Sequence, residues 1–181
     1  MYFTVRDVTE KSEMWETRRN ISSFTLTDNE ITNIINNSSH AVVSWVTKSN
    51  EPVTAVMLYV VIDGLITVTS TTNRAKYHAW KRNPSTSFCI WDHGNIGKQV
   101  TLRGTIKITK DDELLHRYTK AFLTRAMDGN PPSKDRLAKE MLTFQAPDRH
   151  MMQLHVQSKL SHDLNALLVK EKHERSLEEQ S

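Results

Sequence analysis

The stretch Thr54–Thr71, TAVMLYVVIDGLITVTST, decides the fold. Its first half, Thr54–Ile62, is an unbroken run of apolar and β-rich residues bounded by turn residues. Such a run predicts a strand buried on both faces. Asp63-Gly64 follows, a dipeptide that tolerates positive φ at both positions and so favours a tight hairpin turn. Leu65–Thr71 then returns with a second run rich in β-branched residues. Strands joined this tightly are antiparallel, because a parallel pair needs a long crossover between them.

Outward from this hairpin the same pattern continues. Ala41–Thr47 (AVVSWVT) and Thr86–Trp91 (TSFCIW) read as strands, and Gln99–Thr109 (QVTLRGTIKIT) alternates over most of its length. Gly104 within it marks a bulge or bend. His150–Val156 (HMMQLHV) reads as a last strand. Lys48–Pro52 and Asp92–Gly97 are turns or loops.

Helices sit between and around these strands. Thr27-Asp28-Asn29-Glu30 is a capping box that opens a short helix carrying Ile31, Ile34 and Ile35. Asn73–Asn83 has helical spacing in Tyr77 and Trp80, with Asn73 as the expected N-cap and Asn83-Pro84 as the stop. Asp111–Ala126 repeats Leu114, Tyr118 and Phe122, with acidic residues in its first turn where the helix dipole favours them. A further short helix covers Asp135–Thr143.

The expected fold is mainly β with peripheral α-helices, a six-stranded antiparallel split β-barrel. Closure removes exposed sheet edges. The expected organisation is an N-terminal arm over 1–26, the barrel domain over 27–168 and a charged, fraying tail over 169–181.

Composition bounds the function. The chain has 181 residues, 38% hydrophobic and 25% charged, with a net charge of +3. That suits one globular domain. The single cysteine, Cys89, excludes an internal disulfide framework and a Cys-rich zinc site. The eight histidines show no metal-ligand spacing, so no metal site is expected. No run is long enough to cross a bilayer and the N-terminus lacks a signal-peptide core, so the expectation is a cytoplasmic protein.

The chemically richest stretch is Thr69–Pro84, TSTTNRAKYHAWKRNP. A strand ends in hydroxyl residues, and a helix begins with Arg74 and Lys76 at its start. Free amides at a helix start attract anions, and cations there run against the helix dipole unless an anion joins them. This is a candidate phosphate site. The plainer reading is a solvated basic helix face continued by Lys81 and Arg82. A nucleic-acid surface built on Arg74, Lys76, Lys81 and Arg82 would have only Tyr77 and Trp80 as stacking partners, so no nucleic-acid partner is expected.

The region Ala41–Thr109 resembles the pyridoxamine-phosphate-oxidase-like flavin-binding split-barrel superfamily. The likeness rests on the paired strands around Glu51-Pro52 and Asp63-Gly64, and on the basic segment from Arg74-Ala75-Lys76 to Asn83-Pro84. It rests also on Lys98-Gln99-Val100-Thr101-Leu102-Arg103-Gly104, and extends weakly to Ser161-His162-Asp163. Ala75 stands where the family commonly carries Arg. The segment that true pyridoxamine-phosphate oxidases use for substrate is not visible in His150–Ser181, which argues against a vitamin B6 role.

The resemblance implies a homodimer with a flavin-type cofactor at the subunit interface, acting on a small-molecule substrate. It implies an FMN- or deazaflavin (F420)-dependent oxidoreductase performing hydride transfer; the alternative is a non-catalytic flavin- or haem-binding, sequestering protein. Carried onto this chain, Lys76, with Arg74 beside it, pairs with the cofactor phosphate. Thr69 and Ser70 donate hydrogen bonds to it. Thr54, Ala55, Val56 and Met57 lie beside the ring, and Gln99 reaches it from the same or the partner subunit. No catalytic acid or base is implied.

Overall fold

The computed structural model describes residues 24–178. Seven strands form one antiparallel sheet: β1 (His40–Val46), β2 (Pro52–Leu58), β3 (Val60–Ile62), β4 (Leu65–Thr71), β5 (Ser85–Asp92), β6 (Asn95–Thr109) and β7 (Arg149–Asp163). Their order across the sheet is β2-β1-β5-β6-β7-β4-β3. Five helices lie among the described residues: α1 (Asp28–Asn37), α2 (Ala75–Arg82), α3 (Asp112–Ala126), α4 (Lys134–Phe144) and α5 (Leu164–Glu178).

The strand number corrects the expectation of six. The run Thr54–Ile62 is not one strand but two, broken at Tyr59. Ahead of the break, β2 pairs with β1, from His40 opposite Leu58 to Val46 opposite Pro52. Beyond it, β3 pairs with β4 around the Asp63-Gly64 turn. Both turn residues have positive φ. Tyr59 leaves the ladder because other partners hold it. Its amide donates to the Ser39 carbonyl and its hydroxyl to the Ile35 carbonyl, while Arg125 donates to its own carbonyl. The sheet therefore curls into a half-barrel whose two edge strands are joined through a single residue.

The break also corrects the burial of that run. Strand β2 alternates between exposed and half-buried positions along its whole length. Its inward residue Met57 packs on the main core, but Val56 is 62% exposed. Only β3 has the expected burial, with Val60 and Ile62 covered by α3.

Two apolar clusters follow from the alternation of side chains along the strands. The inner one fills the curl with Val43, Val68, Phe88, Ile90, Leu102, Met152 and Leu154, and is closed by Trp80 of α2 and Ile31 and Ile34 of α1. The second lies between Val60, Ile62 and Met151 of the sheet and Leu114, Leu115 and Tyr118 of α3. At Gly104 the register of β6 against β7 shifts, and a Cβ there would sit 2.0 Å from the His155 carbonyl oxygen. No other residue fits that approach.

The capping box at α1 forms as read: the Glu30 amide donates to the Thr27 hydroxyl and the Thr27 amide to the Glu30 carboxylate. Two boundaries differ from expectation. Strand β7 continues to Asp163, so Ser161-His162-Asp163 is a strand end rather than a turn, held by pairing with Lys98–Val100. The region expected to fray from Val169 continues α5 to Glu178. Of the N-terminal arm, residues 1–23 lie outside the described residues.

Candidate functional site

The end of β4 and the start of α2 form a basic corner. Arg74, not Asn73, is the N-cap, and its side chain makes no capping bond. Asn73 instead accepts a hydrogen bond from Thr71 Oγ1 at 2.6 Å. The helix is anchored from below. Trp80 is 1% exposed and donates from Nε1 to the Ser44 carbonyl, and Trp45 meets it edge-on. Tyr77 is buried and its ring lies 5.0 Å from that of His150. Anchoring by Tyr77 and Trp80 fixes the orientation of α2, and with it that of Lys76 in its first turn.

Lys76 is half-buried, and among the described residues no carboxylate pairs with it. Burial pulls its ammonium below the usual lysine range, and the neighbouring Arg74 charge adds to the effect. The whole stretch Gly64–Trp91 holds four cations and no Asp or Glu. The first amides of α2, those of Ala75 and Lys76, have no acceptor within the helix. A half-buried cation without a carboxylate partner, beside free amides, is a place that an anion completes. The chemistry of this donor set fits a phosphate.

The hydroxyls expected there do not act together. Successive side chains on a strand point to opposite faces. Thr69 lies on the α3 side and donates to the His150 carbonyl at 3.0 Å. Ser70 is buried on the inner side. The corner also contains groups that the sequence did not flag. Asp148 accepts from the Thr72 amide and hydroxyl, and His150 sits opposite Ser70 in the ladder. They come from the far end of the chain, joined here only by β4–β7 pairing, and no local motif announces them.

Strand β2 presents Thr54 and Val56 outward and Ala55 and Met57 inward. Being an edge strand, it pairs on one side only, which leaves alternate N–H and C=O groups free along the other. Such an edge suits the polar rim of a flat ring system.

Gln99 is elsewhere. It lies opposite His162 near one end of β7, whereas Ser70 lies opposite His150 near the other. Twelve positions of extended strand separate these partners, about 40 Å along the chain. One subunit therefore does not bring Gln99 to Lys76. Gln99 belongs to the outer face of the sheet, between Trp91 and His162, and its Oε1 accepts from the Cys89 thiol at 3.6 Å. The adjacent row on that face reads Val56, Val42, Cys89, Thr101 and Leu160 across five strands. Leu160 is 54% exposed. Among the described residues no three His, Cys, Asp or Glu side chains come together to hold a metal. No helix among them is long and apolar enough to cross a membrane.

A groove of about 860 Å³ opens between α1, β3 and α3, lined by residues that include Asn36, Val61, Arg117, Lys120 and Arg125. None of the residues expected at the cofactor site lines it.

The family model described as pyridoxamine 5'-phosphate oxidase matches residues 27–158. No curated protein sequence matches the chain. Among solved structures, the conserved hypothetical protein Rv2991 from Mycobacterium tuberculosis is 22% identical with a TM-score of 0.69, over 81% of this chain and 90% of that one. An F420 reductase is 21% identical with a TM-score of 0.51, over 71% and 94% of the two chains. An FAD-binding protein from Mesorhizobium loti is 18% identical with a TM-score of 0.55, over 76% and 94%. At these identities the likeness to solved structures is one of fold.

Proposed function

Because the chain belongs to the pyridoxamine 5'-phosphate oxidase family, we propose that it is an oxidoreductase that works with FMN or the deazaflavin F420 on a small molecule. When bound, such a cofactor supplies hydride transfer at its ring, which is chemistry that side chains do not provide. The observation that carries the reading is Lys76: a half-buried cation in the first turn of a helix anchored by Tyr77 and Trp80, with no carboxylate partner among the described residues.

In this reading Lys76 and Arg74 hold the cofactor phosphate, with the amides at the start of α2. Ser70 or Thr69 supplies at most one hydroxyl, since they face opposite ways. The free edge of β2 along Thr54–Met57 meets the polar rim of the ring. Tyr77 and Trp80 exclude water from beneath the cation, which strengthens its hold on an anion.

The reading includes a homodimer. The apolar row on the outer sheet face supports it, as does the position of Gln99. A second copy packed on that face would cover Val56 and Leu160 and carry Gln99 towards the partner's β2 edge. Val56 and Leu160 stand exposed at the two ends of that row, and exposed apolar side chains gathered on one face are a common mark of an interface.

Absorption spectroscopy of the purified protein, with mass spectrometry of what it releases on denaturation, tests the assignment. A flavin or deazaflavin spectrum is expected, with sedimentation as a dimer. Reduction of the bound cofactor followed by acceptor-dependent reoxidation supports an enzyme. Stoichiometric binding with no transfer to any acceptor instead favours a sequestering role. Failure to bind FMN, FAD or F420 overturns the proposal.

A further inference from the structure

A second basic site lies on the other side of α2. Lys48, in the turn between β1 and β2, faces His78, Lys81 and Arg82 across a groove of about 530 Å³. Four basic side chains line it and no carboxylate does. The acidic residue of the turn, Glu51, is exposed and does not line the groove; its carboxylate accepts from the Thr47 and Ser49 hydroxyls within the turn itself.

Cations near a helix C-terminus are favoured by its dipole, and that alone accounts for Lys81 and Arg82 on a bare helix. It does not account for Lys48, which belongs to another element, nor for the order of the group. Arg82 Nη2 donates to the Val46 carbonyl at 2.7 Å, which fixes the guanidinium and leaves its other N–H groups free to donate. The Lys81 ammonium and the His78 ring both rest on Tyr77, at 6.0 and 5.4 Å. Like charges held together without a counter-charge repel, and a multiply charged anion relieves that repulsion.

We propose that this groove is an anion site separate from the Lys76 corner, and that it takes a short chain of linked phosphates. Single charges do not span Lys48, Lys81 and Arg82, whereas a phosphate chain offers an acceptor to each. Base stacking plays no part, because the aromatic residues of α2, Tyr77 and Trp80, are buried beneath it. The site does not depend on flavin binding.

The test is calorimetric titration of the full chain with inorganic tripolyphosphate, orthophosphate and ATP. Tripolyphosphate is expected to bind with steep salt dependence, and orthophosphate at least tenfold more weakly. Lys48→Ala and Lys81→Ala, at exposed positions, are each expected to weaken tripolyphosphate about tenfold. Lys76→Ala leaves this affinity unchanged even where it abolishes flavin binding. Equal affinity for ATP and tripolyphosphate assigns the chain of phosphates alone; tighter ATP binding assigns a nucleotide source. The inference is overturned if tripolyphosphate does not bind, or if it binds the Lys48 and Lys81 variants as it binds the parent. It is also overturned if a single-stranded oligonucleotide binds more tightly than either phosphate compound.

Discussion

Two lysines on opposite sides of the half-barrel show how the same residue type serves different ends. Lys98, on β6, donates to Glu30 of α1 at 2.7 Å and lies 3.7 Å from Asp163 of β7. The hydrogen bond to Glu30 raises its pKa, and the same bond, with that from the Thr27 amide, lowers Glu30 to about 2. Lys159 pairs with Asp28 nearby. Each of these five charges has a partner, and the ion pairs tie α1 across the sheet. Lys76 has no such match, and burial lowers its pKa instead. A cation with its partners in the fold is part of the scaffold. A half-buried cation left without one is the mark of a candidate site, because folding alone gives no return for desolvating it.

The contrast is sharpest at the proposed interface, where the largest effect is expected. Val56→Asp places a charge at the β2 end of the outer row and should dissociate the proposed dimer. If the site is shared, flavin affinity falls more than a hundredfold with it; sedimentation and fluorescence titration report both. A monomer that still binds flavin tightly would confine the site to one chain.

Next comes Lys76→Met. Loss of a charge-assisted phosphate contact costs about 1.5–3 kcal/mol, or roughly ten- to a hundredfold in flavin affinity. The ligand-free protein should melt no lower than the parent. A depressed lysine pKa means that protonated Lys76 opposes folding below that pKa, a penalty relieved as pH rises towards the ordinary value of 10.5. Weaker binding together with a lower melting temperature would make Lys76 a scaffold residue instead.

Lys98→Met is the reverse case. It should leave flavin affinity within twofold and lower the melting temperature slightly, on the order of 2 °C, as expected for exposed ion pairs. The smallest effect belongs to Glu30→Gln. The depressed carboxyl contributes stability that is complete above its unfolded value of 4.5 and is lost as pH falls towards about 2. The variant should therefore differ from the parent most at neutral pH, by a small amount because the ion pair is partly exposed, converge with it in acid, and show a flatter acid limb in melting temperature. An unchanged acid limb would mean that Glu30 is not coupled to folding.

Much of this was legible in local sequence. The capping box at Thr27, the turn at Asp63-Gly64, the stop at Asn83-Pro84 and the bend at Gly104 all depend on a few adjacent residues, and all four are where they were expected. The break at Tyr59 was not legible, because it depends on Ile35, Ser39 and Arg125, which the fold brings to it. An apolar run reads the same whether one strand or two crosses it. The basic corner was visible as a charge pattern on Arg74 and Lys76. The opposite facing of Thr69 and Ser70 follows from strand alternation and could have been read in the sequence, whereas the lack of a counter-charge from distant segments and the arrival of Asp148 and His150 emerge only from pairing with β7. The groove at Lys48 joins residues from two elements and has no sequence signature.

The central claim is that Lys76 awaits an anionic cofactor group. A crystal structure of the protein grown with FMN tests it most directly. The account predicts a dimer with the FMN phosphate within hydrogen-bond distance of Lys76 Nζ, at the start of α2. Lys76 Nζ pointing into bulk solvent, with FMN absent or bound elsewhere, would contradict it.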